Sequence, residues 1–310
     1  MKSLFITLLF LFVFLHSAPL PSLSVRYPCA HASEIETWKE PLTGMEFVRV
    51  PAGCVRMHCA MDPKAASLPD AKPREICGQG LWAGKYEVTR GQFRIFVEAT
   101  GYRTDAEKEG FSWLYTGKWE KKSGFSWEKA GFDQTDDHPV VHVSWNDATA
   151  MAAWLSETGS GRFRLLTEAE WHYACETGAE ADCTTAGAEG ICTSANVADR
   201  TALSAFPAWK TFPCEDGFVY TSPVGQFKPN GAGLHDMQGN VWEWMEDFCD
   251  IDAYRDGSMH SPHTPRGSMH TVRGGSWYSG LGYVGCSSRD VLLSPSRRSY
   301  DIGFRLLRVP

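Results

Sequence analysis

Gly239-Asn240-Val241-Trp242-Glu243-Trp244 lies in a part of the chain that, from Gly178 onward, shows almost no sustained periodicity. That part is rich in Gly, Pro, Asn, Asp and Trp, a composition of turns rather than of ladders. Order there has to come from loops held by metals or disulfides. Asp236, Gly239, Val241 and Glu243 fall within eight residues. An extended turn directs two carboxylates and two backbone carbonyls inward from such spacing, a hard-oxygen set that suits calcium. A solvated acidic loop is the bland reading of the same residues, and spacing alone favours it.

Outward from this stretch, the chain has 310 residues with 43% hydrophobic and 13% aromatic, which excludes intrinsic disorder and a coiled-coil rod. Twelve Trp and 29 Gly point to a loop-rich fold whose scattered aromatics pin irregular backbone. Lys and Arg number 30 against 37 Asp and Glu, a net charge of -7, so no basic stripe exists for nucleic acid. Three helices are predicted. Thr89 and Gln92 form a capping box before Phe93, Phe96 and Val97, giving a helix from Arg90 to about Thr100 that Gly101 stops. Asn146 caps a second, with Ala148, Met151, Ala152 and Leu155 at helical spacing before Gly159. Thr167 and Glu170 open a third, with Trp171, Ala174 and Cys175 inward and Gly178 at its end. Glu46 to Val50, Leu81 to Glu87, Val140 to Ser144 and Phe304 to Val309 are predicted as short strands.

Lys2 and the twelve-residue, mostly apolar run from Leu4 to Leu15 have the length of an export signal, too short for a bilayer span. The predicted division is residues 1–32 as signal and 33–310 as one domain, with its core at about 44–309. Ala30-His31-Ala32 supplies the small-x-small cleavage pattern, and a cut after Ala18 is the alternative. Cys29 lacks the small apolar residues that precede a lipidated cysteine, so no stable membrane anchor is expected. Cleavage after Ala32 removes Lys2 and Arg26, leaving 28 bases against 37 acids, a net of -9. The chain is therefore expected in the periplasm or secreted, where ten cysteines are disulfides more readily than zinc ligands.

A set of ordered motifs then carries a resemblance. Gly44-Met45-Glu46-Phe47-Val48, Gly84-Lys85-Tyr86-Glu87-Val88-Thr89, Ala99-Thr100-Gly101-Tyr102 and His138-Pro139-Val140 come first. His142 to Ala148, Leu166-Thr167-Glu168-Ala169-Glu170-Trp171, Pro229-Asn230-Gly231 with Gly233-Leu234, and Gly239 to Trp244 follow. Arg273-Gly274-Gly275-Ser276-Trp277 and Gly303-Phe304-Arg305 close the series. Together, from Gly44 to Val309, the chain resembles the formylglycine-generating enzyme, or sulfatase-modifying factor, family. The resemblance implies an α+β, C-type-lectin-like, loop-rich fold with little regular secondary structure. It also implies calcium ligands at Asn196, Val197, Asp216 and Phe218, and at Asp236, Gly239, Val241 and Glu243, with Asp236 where the enzymes have Asn. A bridge between Cys175 and Cys286 is implied in the same way. Cys54 and Cys77 flank the first loop and Cys192 and Cys214 bracket the first calcium segment, placements suited to two more bridges; the pairing of Cys59, Cys183 and Cys249 is not set by spacing.

The oxidase chemistry is where the pattern departs. The aerobic enzymes hold copper(I) on two cysteine thiolates after the Gly-Gly-Ser motif, and oxygen ligands replace thiolates poorly at a soft ion. Here Ser279 stands at the first of those positions, and the stretch containing the second has no thiol before the bridged Cys286. What is kept of the pocket is Ser276, Ser279, Arg289 and Asp301, beside Trp277 and Tyr278, with Asp301 where the enzymes carry Asn. Arg289 either holds a ligand carboxylate or carbonyl, or is buried against Asp290 or Asp301. Met57-His58-Cys59, Met259-His260, His263 and Met269-His270 are candidate soft-metal donors, but chance dipeptides in polar loops are the stronger reading. His138, His142 and His172 sit in scaffold motifs as hydrogen-bonded core residues. Two functions follow: a calcium-stabilised binding or accessory module for a peptide or peptide-derived ligand, or an oxidative maturation enzyme of formylglycine-generating or pyoverdine-maturation type with a redox metal of unknown identity.

Overall fold

A computed structural model of the chain describes residues 35–57, 74–178, 187–248, 268–280 and 282–309. In chain order the strands are β1 (Thr37–Lys39), β2 (Glu46–Val50), β3 (Gly53–Met57), β4 (Arg74–Gly78), β5 (Leu81–Gly84), β6 (Phe111–Tyr115), β7 (Trp119–Ser123), β8 (Arg162–Leu165), β9 (Trp242–Phe248), β10 (His270–Gly274), β11 (Gly285–Leu293), β12 (Ile302–Gly303) and β13 (Leu306–Val309). The longer helices are α1 (Arg90–Thr100), α2 (Asp105–Glu109), α3 (Trp145–Glu157) and α4 (Glu168–Glu176). One sheet runs β1-β2-β5-β13-β8, a second β11-β10-β9-β12, and two hairpins pair β3 with β4 and β6 with β7. Mixed elements of this modest length, separated by long ordered loops, make the α+β, loop-rich architecture.

Local chemistry explains the helices. The Thr89 hydroxyl accepts from the Gln92 N–H while the Gln92 amide oxygen accepts from the Thr89 N–H, and Gly101 closes α1 at φ 67°. Thr167 and Glu170 form the same box on α4, with Arg164 donating twice to the Glu170 carboxylate at 2.7 Å. The cap of α3 is Ser144 rather than Asn146: Ser144 Oγ accepts from the Asp147 N–H and Asp147 Oδ2 from the Ser144 N–H. Asn146 lies in the first turn and donates to Asp105 instead. Helix α2 has its own box, Thr104 with Glu107, but is too short to show an apolar repeat.

Other expectations need correction. Val140 to Ser144 is not a strand; its N–H groups pair singly, Val140 with Val88 and His142 with Ser299, and His142 lies in the left-handed region at φ 59°. The apolar run there marks buried backbone without a ladder. Strand β5 stops at Gly84, and β13 starts at Leu306. The segment after Gly178 is not all loop, because β9 to β12 form a sheet within it. Residues Trp242 to Met245 are all buried, so the alternation that marks a half-buried strand is lost.

Phe47, Phe93, Phe96, Met151, Leu155, Trp244 and Phe304 form one core, and Val48, Leu166, Trp171, Cys175, Met245 and Cys286 belong to another. Disulfides join Cys54 to Cys77, Cys175 to Cys286 and Cys192 to Cys214. Cys29, Cys59, Cys183, Cys249, the signal segment, His58, Met259, His260 and His263 lie outside the described residues. Among the described residues, no helix is long and apolar enough to cross a membrane.

Candidate functional site

Two loops carry the predicted cation ligands. In the first, Asp216 accepts from the N–H groups of Val197 and Phe218, each at 2.8 Å, which draws three of the predicted residues together. Asn196 is fully buried, and its Oδ1 has no hydrogen-bond partner. Burial, reinforced by neighbouring Asp199, pushes the Asp216 carboxyl up to about 7. Asp199, which the sequence reading missed, also accepts from the N–H groups of Thr201 and Ala202.

The second loop meets β9. Asp236 adopts φ 57° and accepts from the Gly225 N–H at 2.7 Å through Oδ2, while its buried Oδ1 has no partner. Burial pushes its carboxyl up to about 6, with Glu243 adding repulsion. Glu243 is clamped by the Arg305 guanidinium at 2.8–3.1 Å and by the Trp171 indole N–H at 2.8 Å. Glu87 is equally buried and accepts from Asn240 Nδ2 at 2.7 Å and the Val241 N–H at 3.2 Å. Burial, then Asp236 and Glu243, hold the Glu87 carboxyl well above the usual carboxylate range. Three buried carboxylates thus share one guanidinium, an excess of negative charge that a proton or a cation relieves. The unpartnered oxygens of Asp236 and Asn196 and this charge excess fit hard-oxygen calcium chemistry. The sequence places Glu87 only at the end of a predicted strand and in the Gly84 to Thr89 motif, and no spacing rule connects it with Asp236 or Glu243.

Asn240 joins the two loops. Its Oδ1 accepts from Asn196 Nδ2 and the Ser222 N–H, and its own N–H donates to the Asn196 carbonyl at 2.8 Å. Gly239 precedes it at φ 80°, where a Cβ would run into the Asn196 carbonyl, so only glycine fits.

The serine positions adjoin this network. Trp277 N–H donates to the Asn240 carbonyl, and Ala198 N–H to the Ser279 carbonyl. Ser276 and Ser279 are buried, their hydroxyls 3.4 Å apart, and the Ser276 N–H donates to Ser279 Oγ at 3.0 Å. Asp301 accepts from Ser299 Oγ at 2.6 Å, and burial together with Tyr115 and Asp301 raises the Tyr278 phenol above its ordinary value. Rings of Phe132, Phe206, Tyr220, Tyr278 and Tyr300 surround Trp277 at centroid distances of 5.0–6.2 Å. Phe132 and Tyr220, stacked at 4.5 Å, also line a cavity of about 590 Å³ with Asp133, His138, Phe218 and Thr221. Tyr115 and Trp119, 38% and 40% exposed, lie against Tyr278 and continue this aromatic wall to the surface. Neither was singled out from the sequence, although Phe111 to Trp119 holds four aromatics in nine residues.

Arg289 lies against an acid far away in the chain, while the Asp290 side chain is outside the described residues. Arg289 donates to Glu168 at 3.1 Å, and Arg273 donates to the same oxygen at 2.6 Å. His172 Nδ1 meets the Cys286 carbonyl and His142 bonds Ser112 and the Ala130 carbonyl, both as buried scaffold histidines, whereas His138, whose Nδ1 accepts from the Thr135 N–H, is half-buried in the cavity wall rather than in the core. His270 is buried, bonded to the Asp247 carbonyl and stacked on Trp145 at 4.2 Å.

Comparison with known proteins agrees with this scaffold. The chain is 31% identical over 291 residues to the formylglycine-generating enzyme of Bos taurus, covering 86% of the chain and 75% of that protein. It is 32% identical over 257 residues to the inactive C-alpha-formylglycine-generating enzyme 2 of Mus musculus, covering 74% of the chain and 74% of that protein. The structure of PvdO from Pseudomonas aeruginosa superposes with a TM-score of 0.68 at 25% identity, over 89% of this chain and 98% of that one. The sulfatase-modifying factor enzyme 1-like domain matches residues 32–310, and the chain belongs to that family, with the formylglycine-generating-enzyme fold.

Proposed function

We propose that the chain is an exported, calcium-stabilised member of its family that binds a peptide or peptide-derived ligand and does not carry out ordinary formylglycine generation. One observation carries the reading: Ser279, held by the Ser276 N–H, stands where the resembling enzymes place a copper thiolate. Cys286, the cysteine that follows, is tied to Cys175. A hydroxyl and a disulfide do not fit soft copper(I) as two thiolates do. Calcium, where bound, would supply fixed positive charge to Asn196, Asp216, Asp236 and Glu243 and order backbone that lacks a ladder. The apolar segment Leu4 to Leu15 and the three disulfides support export to an oxidising compartment, periplasmic or extracellular. The groove residues are Tyr278, Ser276, Ser279 and Asp301, with the exposed rim beside them; Arg289 acts by fixing Glu168.

The likeness to PvdO, at 25% identity over nearly all of that chain, favours a second reading as an oxidative maturation enzyme using another metal site. Metal analysis of the purified mature protein with oxygen-electrode recording separates them. Calcium alone and no oxygen uptake on peptide addition is the expected result. Near-stoichiometric copper or iron with peptide-dependent uptake would establish the second reading instead.

A further inference from the structure

The aromatic rim is carried by a hairpin whose charge opposes that of the molecule. Strands β6 and β7 pair antiparallel from Phe111↔Ser123 to Tyr115↔Trp119. Between Phe111 and Ser123 stand Lys118, Lys121 and Lys122 against a single acid, Glu120, in a chain with a net charge of -7. Glu120 is shared by Lys118 at 3.3 Å and Lys122 at 2.8 Å, so it cannot neutralise both, and Lys118 is 78% exposed. Lys121 lies over the Phe111 ring at 4.3 Å, and the Arg297 guanidinium over Trp113 and Trp119 at 4.3 and 4.7 Å. Positive charge is therefore layered onto the aromatic wall that reaches Tyr278. Among the described residues no strand pairs with the outer side of β7. An open strand edge offers N–H and C=O groups in the pattern that an extended chain satisfies.

We infer that this rim takes an acidic extended peptide, whose backbone adds to the edge of β7 and whose carboxylates lie against Lys118, Lys121 and Lys122; the inference rests on the peptide-binding reading above. Lysines also guard bare strand edges against aggregation. A guarded edge, however, does not need Tyr115 and Trp119 exposed beside it, and those rings supply the apolar contact of a binding surface. The rest of the molecule repels an anion, so the hairpin concentrates such a ligand at the mouth of the groove.

The test is calorimetric titration of the mature protein, at low and physiological salt, with three short acetylated and amidated peptides. They share one central tyrosine and differ only in having glutamate, glutamine or lysine at every flanking position, so that both faces of an added strand carry the charge. The glutamate peptide is expected to bind on the order of tenfold more tightly than the glutamine one at low salt, with the gap narrowing as salt rises. A Lys118→Gln, Lys121→Gln, Lys122→Gln variant with unchanged Tm should erase the preference while still binding the glutamine peptide. Equal binding of the two, or preference for the lysine peptide, would overturn the acidic specificity and leave the groove standing. Preference that survives in the triple variant would overturn its assignment to the hairpin. Failure of all three peptides to bind would remove the peptide groove itself.

Discussion

Helices α1 and α4 and the loop running from Ile191 to Val241 are ordered by different means. Each helix carries its own start signal within four residues, a reciprocal capping box. The loop between the 3-10 turn at Ile191–Thr193 and β9 is instead fixed by groups far apart in the chain: Asn240 to Glu87 across 153 residues, Arg305 to Glu243 across 62, and Cys192 to Cys214. Local order degrades gradually when one bond is lost, whereas order built from buried charges and crosslinks fails in large steps. The contrast is open to direct measurement.

The largest step is expected at Cys286→Ser. Its bridge to Cys175 spans 111 residues, so the chain-entropy account assigns it roughly 4–5 kcal/mol, read as a fall in urea midpoint under oxidising conditions. Free alkylation of Cys286 in the native protein would contradict the bridge. Glu243→Ala comes next, at about 3–5 kcal/mol, because it strands the Arg305 guanidinium in a fully buried site. A cost near that of an exposed ion pair would place Arg305 in contact with water.

His142 supplies a pH-dependent step. Burial holds its imidazole at about 4, against an ordinary value of 6.5. Its folded pKa is depressed, so the folded state gains from it above pH 6.5 and loses that contribution as pH falls toward 4. The stability difference between the unaltered protein and His142→Asn, which keeps a residue tolerant of φ 59°, should shrink by about 3 kcal/mol over that window in denaturant titrations. A pH-independent difference would mean that the ring is solvated. Asp236→Ala should remove the second loop's share of the rise in Tm on adding calcium, a share equivalent to about 2.7 kcal/mol for one site at a hundredfold excess over Kd. Identical melting of the unaltered protein in calcium and in chelator would remove the cation sites. The smallest step is Thr89→Ala, about 1 kcal/mol for the lost cap of α1.

The same contrast explains how much of the molecule could be read from sequence. Capping boxes at Thr89 and Thr167 are local, and both helices stand where their residues put them. The ordered motifs from Gly44 to Val309 carried the fold class, and the three cysteine pairs followed from their places along it. Strand β9 escaped because both its faces are buried, and Val140 to Ser144 misled because its buried valines sit on backbone that makes isolated hydrogen bonds instead of a ladder. Glu168 lies 121 residues from Arg289, so no spacing rule connects them, and the arginine looked free to meet a ligand or a nearby aspartate. Glu87 went unread because its significance arises only when β9 brings Asp236 and Glu243 beside it.

The central claim is that this scaffold persists without the sulfur pair that grips copper. Incubating the mature protein, supplied with copper(I) and oxygen, with a cysteine-bearing sulfatase peptide and following the peptide by mass spectrometry tests it most directly. The cysteine is expected to stay unconverted at every time point. Turnover of that cysteine to formylglycine would contradict the account.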